Sequence, residues 1–255
     1  MTSLRDIVAA HASSAEELPL VHTTRSEMLQ RIIVSHELRG DVCDVFHEHL
    51  VYFFYGRPAY RHALGREPGG GIELCPVSFV FKPHTISHGA RRIFPCDSGG
   101  IYKGHFTPHL EQADLPDLEL DATVESARRL VSLVFGSNDN YYRGEAQDPA
   151  PSSFTAGSAA QRFHDLLRDE GAISGDDRRS AIEIQMASPV QLDHHLLYVM
   201  LPNDLLNQDN VRRTIFEIWQ CDPIGYDVYR GAPAHDYTAT IRDKLRLRFR
   251  EATRL

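Results

Sequence analysis

The sequence predicts an α+β fold, with strands and helices mixed and without the regular alternation that builds a parallel sheet. Three observations lead there. Short apolar or aromatic runs, closed by threonine, proline or glycine, recur at Leu18 to His22, Leu74 to Phe81 and Leu196 to Leu201. Segments with apolar residues at helical spacing, such as 25–36 and Val124 to Phe135, lie between them. The 255 residues carry no internal repeat and no second compositional regime, so one domain over 1–255 is expected.

In chain order, 1–17 predicts a polar helical lead-in and Leu18 to His22 a short buried strand. Thr24 or Ser26 is placed to cap the next helix, whose Met28, Leu29, Ile32 and Ile33 share one face. Val45 to Tyr55 is aromatic and apolar and runs into the turn signal Gly56-Arg57-Pro58. The glycines at 69–71 mark a loop, and Leu74 to Phe81 a strand closed by Pro83. Ile93 to Phe94 and Ile101 to Phe106 predict short strands around a glycine turn at 97–100. A helix at Val124 to Phe135 precedes 136–158, the most loop-like stretch by its glycine, proline and asparagine content. A helix at 159–170, a loop at 171–177, strands at Ser180 to Met186 and Leu196 to Leu201, and helices near 203–219 and 236–253 complete the chain.

A hydrophobic fraction of 42% with 24% charged residues excludes a largely disordered chain, a collagen or a coiled coil. The balance of 27 basic against 35 acidic residues gives a formal charge of −8, which argues against a general nucleic-acid binder and leaves room only for a local basic groove. The apolar runs fall far short of the roughly 20 residues a membrane helix needs. Residues 1–14 show no secretory signal, and the four scattered cysteines predict reduced thiols in a cytoplasmic protein. The histidine pairs 84/88 and 105/109 follow or contain proline, so no helical metal site is expected. Asp97-Ser98-Gly99-Gly100 has the look of a serine-protease nucleophile, but the chain between it and His11 is too short and too helical for two barrels, so a tight turn is expected. Gly69-Gly70-Gly71 lacks the lysine and hydroxyl residue of a phosphate loop.

Three segments together carry the chemistry. Val21-His22-Thr23-Thr24 ends a strand and leads into a helix. Tyr52 to Tyr60 joins aromatic residues to Arg57 at a proline turn. Ser180 to Gln185 places Glu183 inside an apolar strand, where a carboxylate is costly unless it is paired or faces a cleft.

This order resembles the ADP-ribosyltransferase superfamily, and most closely the DarT-type DNA ADP-ribosyltransferases. His22 and Thr24 fit the family's early His-x-Thr, and Leu29, Ile32 and Ile33 fit the helix after it, with Met28 where the family has asparagine. Phe53-Phe54-Tyr55-Gly56-Arg57-Pro58-Ala59-Tyr60 is similar to the family's aromatic stretch before Arg-x-Pro, and Ala181-Ile182-Glu183 followed by Ser188-Pro189-Val190 to its late glutamate strand. The similarity covers 19–61 and 179–201; residues 62–178 match nothing in the pattern.

The resemblance implies an ADP-ribosyltransferase-like split β-sheet core with flanking helices, and NAD as substrate without a metal. Glu183 would stabilise the ribosyl cation and could also serve as general base for the acceptor, with Arg57 on the pyrophosphate or the acceptor. His22 and Thr24 would bind ribose or the nicotinamide amide, and one of Tyr52, Tyr55 and Tyr60 would stack on nicotinamide. A toxin or phage-defence role follows from the resemblance, with DNA, RNA, protein or a small molecule as acceptor. The alternatives are an NAD glycohydrolase and a catalytically silent nucleotide-binding or interaction module of the same fold. Loops 171–179 and 136–158 are expected to border and to cover the cleft, with Arg178 and Arg179 supplying local positive charge.

Overall fold

The computed structural model describes residues 2–60, 71–82, 84, 89–169, 177–234 and 236–252. The loop expected at 171–177 therefore falls outside the described residues except for Asp177, as do Gly69, Gly70, Pro83 and His88. The described residues form a mixed α+β fold built on one large sheet.

Its strands are β1 (Leu20–Arg25), β3 (Asp41–Val42), β4 (His49–Tyr55), β5 (Pro76–Phe81), β6 (Ala90–Phe94), β7 (Glu183–Met186), β9 (Leu196–Pro202) and β10 (Asp222–Tyr226). Their order is β10-β9-β5-β1-β4-β7-β6, with β3 added to β4. Among the described residues only β9 and β10 pair in parallel. The short strands β2 (Glu37–Leu38) and β8 (Val190–Gln191) make a separate ribbon. The central strand β5 is buried at all six positions, so both of its faces are covered. Phe53, Phe79 and Phe81 stand on one face, and full burial of each such side chain contributes roughly 1.5–3 kcal/mol. One apolar cluster runs from Leu4 in the first helix (Leu4–Ala10) to Phe249 in the last (Asp236–Glu251).

A seam divides the sheet. β1 and β4 pair only at Leu20↔Tyr55 and Val21↔Phe54, whereas β1 stays paired with β5 along its whole length. Beyond Val21 the backbones of β1 and β4 separate. The turn after β4 rests on Gly56, whose N–H donates to the Pro19 carbonyl at 2.7 Å. Its φ of +65° and the Leu18 side chain, 2.5 Å from where a Cβ would stand, leave room for glycine alone.

Several expectations are corrected. β1 begins later than 18–22 and extends through Arg25, because pairing with β5 carries the backbone past both threonines. Ile101 to Phe106 is not a strand. Asp97 caps a short helix, Ser98–Tyr102, that turns the chain away from the sheet. The stretch 136–158 holds a helix, Asn138–Arg143, capped by Ser137 and carrying the buried Tyr141 and Tyr142. β10 has no counterpart among the expected elements, since a five-residue segment with aspartate, proline and glycine lacks the alternation of a half-buried strand.

Candidate functional site

The seam opens into a cavity of about 370 Å³, a size typical of small-molecule pockets. Its walls include His22 and Thr23 of β1, Tyr52 and Phe54 of β4, Cys43 to Val45 of the preceding turn, Ala59 and Tyr60 after β4, and Glu183 of β7. Val42, Asp97, Gly99, Lys103 and Arg178 complete them.

Strand register sets which side chains reach this space. Phe54 is opposite Glu183 and Tyr52 opposite Gln185, so these four share one face of the sheet. Glu183 is 1% exposed. Its Oε1 accepts from Ser98 Oγ at 2.6 Å and from Gln185 Nε2 at 2.7 Å, and the same Gln185 nitrogen lies 3.1 Å from Ser98 Oγ. Burial, followed by the nearby Asp97 charge, pushes the Glu183 carboxyl up to about 8, against the opposing pull of the two donors. Asp97 lies beside it, with Oδ1 accepting from the Gly99 N–H at 3.1 Å and Oδ2 2.5 Å from Arg178 Nη1.

His22 touches the cavity from the other face of the sheet, the side of Tyr55, with its ring 5.7 Å from that of Phe53 and 6.4 Å from that of Phe79. Its Nδ1 lies 2.8 Å from the Tyr52 carbonyl, an acceptor, so Nδ1 carries the hydrogen and Nε2 is left as an acceptor. Burial lowers its pKa, which favours the neutral ring. The Tyr52 phenol is shifted upward by burial and by its bond to the Cys43 thiol, and burial raises Tyr60 to about 12. At the rim, Lys103 Nζ pairs with Asp44 at 3.3 Å.

Of the residues singled out in the sequence, the structure thus brings His22, Tyr52, Tyr60 and Glu183 to one cavity. Thr24, Tyr55 and Arg57 are not among its lining side chains. Thr23 lines it in place of Thr24, with Oγ1 2.8 Å from Ser78 Oγ. Tyr55 points to the opposite face because side chains alternate along β4; its hydroxyl accepts the Leu18 N–H at 2.9 Å. Arg57 is buried beneath the site. Its Nη1 donates to the Ser180 carbonyl at 2.8 Å and to Ser180 Oγ at 2.7 Å, and its guanidinium lies 5.7 Å from the Tyr141 ring centre.

The segment 136–158 does not cover the cleft. Tyr141 donates its hydroxyl to the Tyr55 carbonyl at 2.6 Å, and the Ile182 N–H donates back to that hydroxyl at 3.0 Å, so this helix braces the rear of β4 and β7. Gln147 ties the following turn to the carbonyls of Ser132 and Leu133 at 3.2 Å. Arg178 reaches the cavity, while Arg179 turns away and donates to the Asp169 carbonyl at 2.8 Å.

Sequence reasoning passed over Ser98, Asp97 and Gln185 as site residues. Gln185 was within reach, being two positions from Glu183 in a strand and therefore on its face. Asp97-Ser98 gave no such signal, since only the antiparallel pairing of β6 with β7 brings that turn beside Glu183.

No protein-family model matches the chain, and no curated protein sequence matches it. Among the described residues no group of three histidine, cysteine, aspartate or glutamate side chains is arranged to hold a metal ion, and no helix is long and apolar enough to cross a membrane. The four cysteines are free thiols and buried.

Proposed function

We propose that this chain cleaves the nicotinamide–ribose bond of NAD and transfers the ADP-ribosyl group to an acceptor. The observation that carries the reading is Glu183, a carboxyl buried at the wall of a cavity where a split sheet opens and held by two neutral donors, while the cations of that wall, Arg178 and Lys103, pair with Asp97 and Asp44. Such a group gains most from a ligand that brings positive charge. The cationic nicotinamide riboside does so, and its charge opposes the uptake of a proton by Glu183. As the glycosidic bond breaks, its electron pair passes to the ring nitrogen and nicotinamide leaves neutral, while cationic character develops on the ribose. The Glu183 carboxylate stabilises that charge. His22 offers Nε2 as acceptor to a ribose hydroxyl, and the Tyr52 ring, on the Glu183 face of the sheet, is suited to stack on a flat heterocycle.

The test uses the purified chain, NAD labelled in its adenylate part, and measurement of both released nicotinamide and transferred label. Nicotinamide release with label transfer to added nucleic acid or protein supports the transferase, and release with free ADP-ribose alone makes water the acceptor. Glu183→Gln is expected to slow release roughly 100- to 1000-fold, the usual cost of losing a preorganised electrostatic contact. Absence of release from the wild-type chain, or full activity of the variant, removes this reading.

A further inference from the structure

Three carboxylates line the cavity and the reaction above employs only one; of the other two, Asp44 is paired with Lys103 at the rim. Asp97 is 5% exposed. An aspartate whose sole task is to cap a five-residue helix sits comfortably in water, whereas this one is buried on a cavity wall. Three contacts fix it. Its N–H donates to the Arg178 carbonyl at 3.2 Å, Oδ1 accepts from Gly99, and Oδ2 meets Arg178 Nη1 at 2.5 Å. That Oδ2 is buried, and the Asp97 carboxyl also lies within hydrogen-bond reach of the Glu183 carboxyl. The next residue in the chain, Ser98, donates to Glu183 Oε1 at 2.6 Å, which fixes the two acids relative to each other. The two carboxyls sense one another, since the Asp97 charge contributes to the upward shift of Glu183.

Transfer of a ribosyl group to a hydroxyl sets two tasks at once. One group must face the developing cation, and another must collect the proton of the attacking oxygen from the side opposite the leaving group. Glu183 has one oxygen occupied by two donors, and its carboxyl is within hydrogen-bond reach of Asp97, so the two acids form one pair at the cavity wall. The geometry points to Asp97 as a second catalytic carboxylate, the general base that takes the acceptor's proton while Glu183 stabilises the ribosyl cation. This rests on the NAD-cleaving reading. In the step, the ribose C1′–nitrogen bond breaks with its electron pair going to nicotinamide. The acceptor oxygen forms the new bond to C1′, and its proton passes to Asp97, which later releases it to solvent. Arg178 keeps the Asp97 carboxylate oriented during the transfer.

Azide separates the two roles, because it attacks as an anion and has no proton to lose. Asp97→Asn keeps the side-chain shape and the helix cap, for which asparagine serves as well as aspartate. Nicotinamide release with water or a hydroxyl acceptor is expected to fall roughly 100-fold or more, within the range for loss of a general base. Added sodium azide is expected to restore release and to yield ADP-ribosyl azide. Glu183→Gln is expected to show no azide rescue, since the cation it stabilises forms with any nucleophile. Asp97→Ser, which caps through a hydroxyl, should behave as Asp97→Asn and guards against a folding defect in either variant. Wild-type rates in Asp97→Asn, or loss that azide does not restore in a variant of unchanged melting temperature, overturn the assignment of Asp97 alone. A wild-type chain that releases no nicotinamide removes the NAD reading and the role of Asp97 with it.

Discussion

Arg57 and Glu183 are equally buried, each 1% exposed, and both serve the same pair of strands. Their company differs. The Arg57 Nη groups meet the carbonyls of Ser180 and Tyr141, the Ser180 hydroxyl and the Asp177 carboxylate, groups of complementary polarity, while its buried Nε has no hydrogen-bond partner. The Glu183 carboxyl has two neutral donors, and the charge acting on it most strongly is the like-signed Asp97. Burial alone therefore does not mark a reactive group. A buried charge with complementary partners holds two segments together, while a buried carboxyl beside a like-signed group in a cavity, its hold on a proton raised, is poised for a ligand.

The sharpest way to break this contrast is Arg57→Met. Removing one partner of a buried charged network typically costs about 3–5 kcal/mol, and here it strands two carbonyls and a hydroxyl. Denaturant unfolding should show a loss of that order, while nicotinamide release per folded molecule stays near wild type. Lost activity with intact stability would return Arg57 to the reaction. Next in size is the pH dependence set by Glu183. Its folded pKa, near 8, lies above the ordinary carboxylate value of 4.5, so the folded state holds the proton more tightly than the unfolded chain. The stabilisation is complete below about 4.5 and is lost as pH rises through 8. Relative to Glu183→Gln, which carries no titrating group there, the wild type should lose a few kcal/mol across that window, measured by urea unfolding at successive pH values. A flat difference would mean that Glu183 is ionised throughout. The smallest effect belongs to Lys103→Ala at the rim. Its pair with Asp44 joins side chains 45% and 72% exposed, and such pairs contribute less than about 1 kcal/mol. A melting-temperature drop as large as that of Arg57→Met would make the rim a structural element.

The part of the site legible in the sequence was the part written in local pattern. A carboxylate among Ala181, Ile182 and Ile184 identifies itself, and His22 at a strand end does so nearly as well. Arg57 shows what local pattern omits. A guanidinium beside a proline turn looks the same whether it faces a cleft or Ser180, and the difference is made by residues more than a hundred positions away. The segment 136–158 misled for a related reason. Its glycines and prolines signal turns correctly, but Tyr141 and Tyr142 supply enough apolar surface to pin a short helix to the sheet. Ile101 and Phe106 are buried as a strand would have them, yet the Asp97 cap wins locally and starts a helix instead.

The two-residue seam between β1 and β4 has a practical consequence. Where the strands part, backbone groups that would have paired across the ladder are left to other partners, as the Tyr52 carbonyl is left to His22. A molecule that fits the gap supplies the missing bonds and joins the two halves of the sheet, so occupancy and resistance to heat rise together. A ligand present at a hundred times its dissociation constant adds about 2.7 kcal/mol to the folded state. The protein is in this sense its own detector, and a melting-curve screen across nucleotides and nicotinamide compounds would report what enters the seam before any turnover is measured.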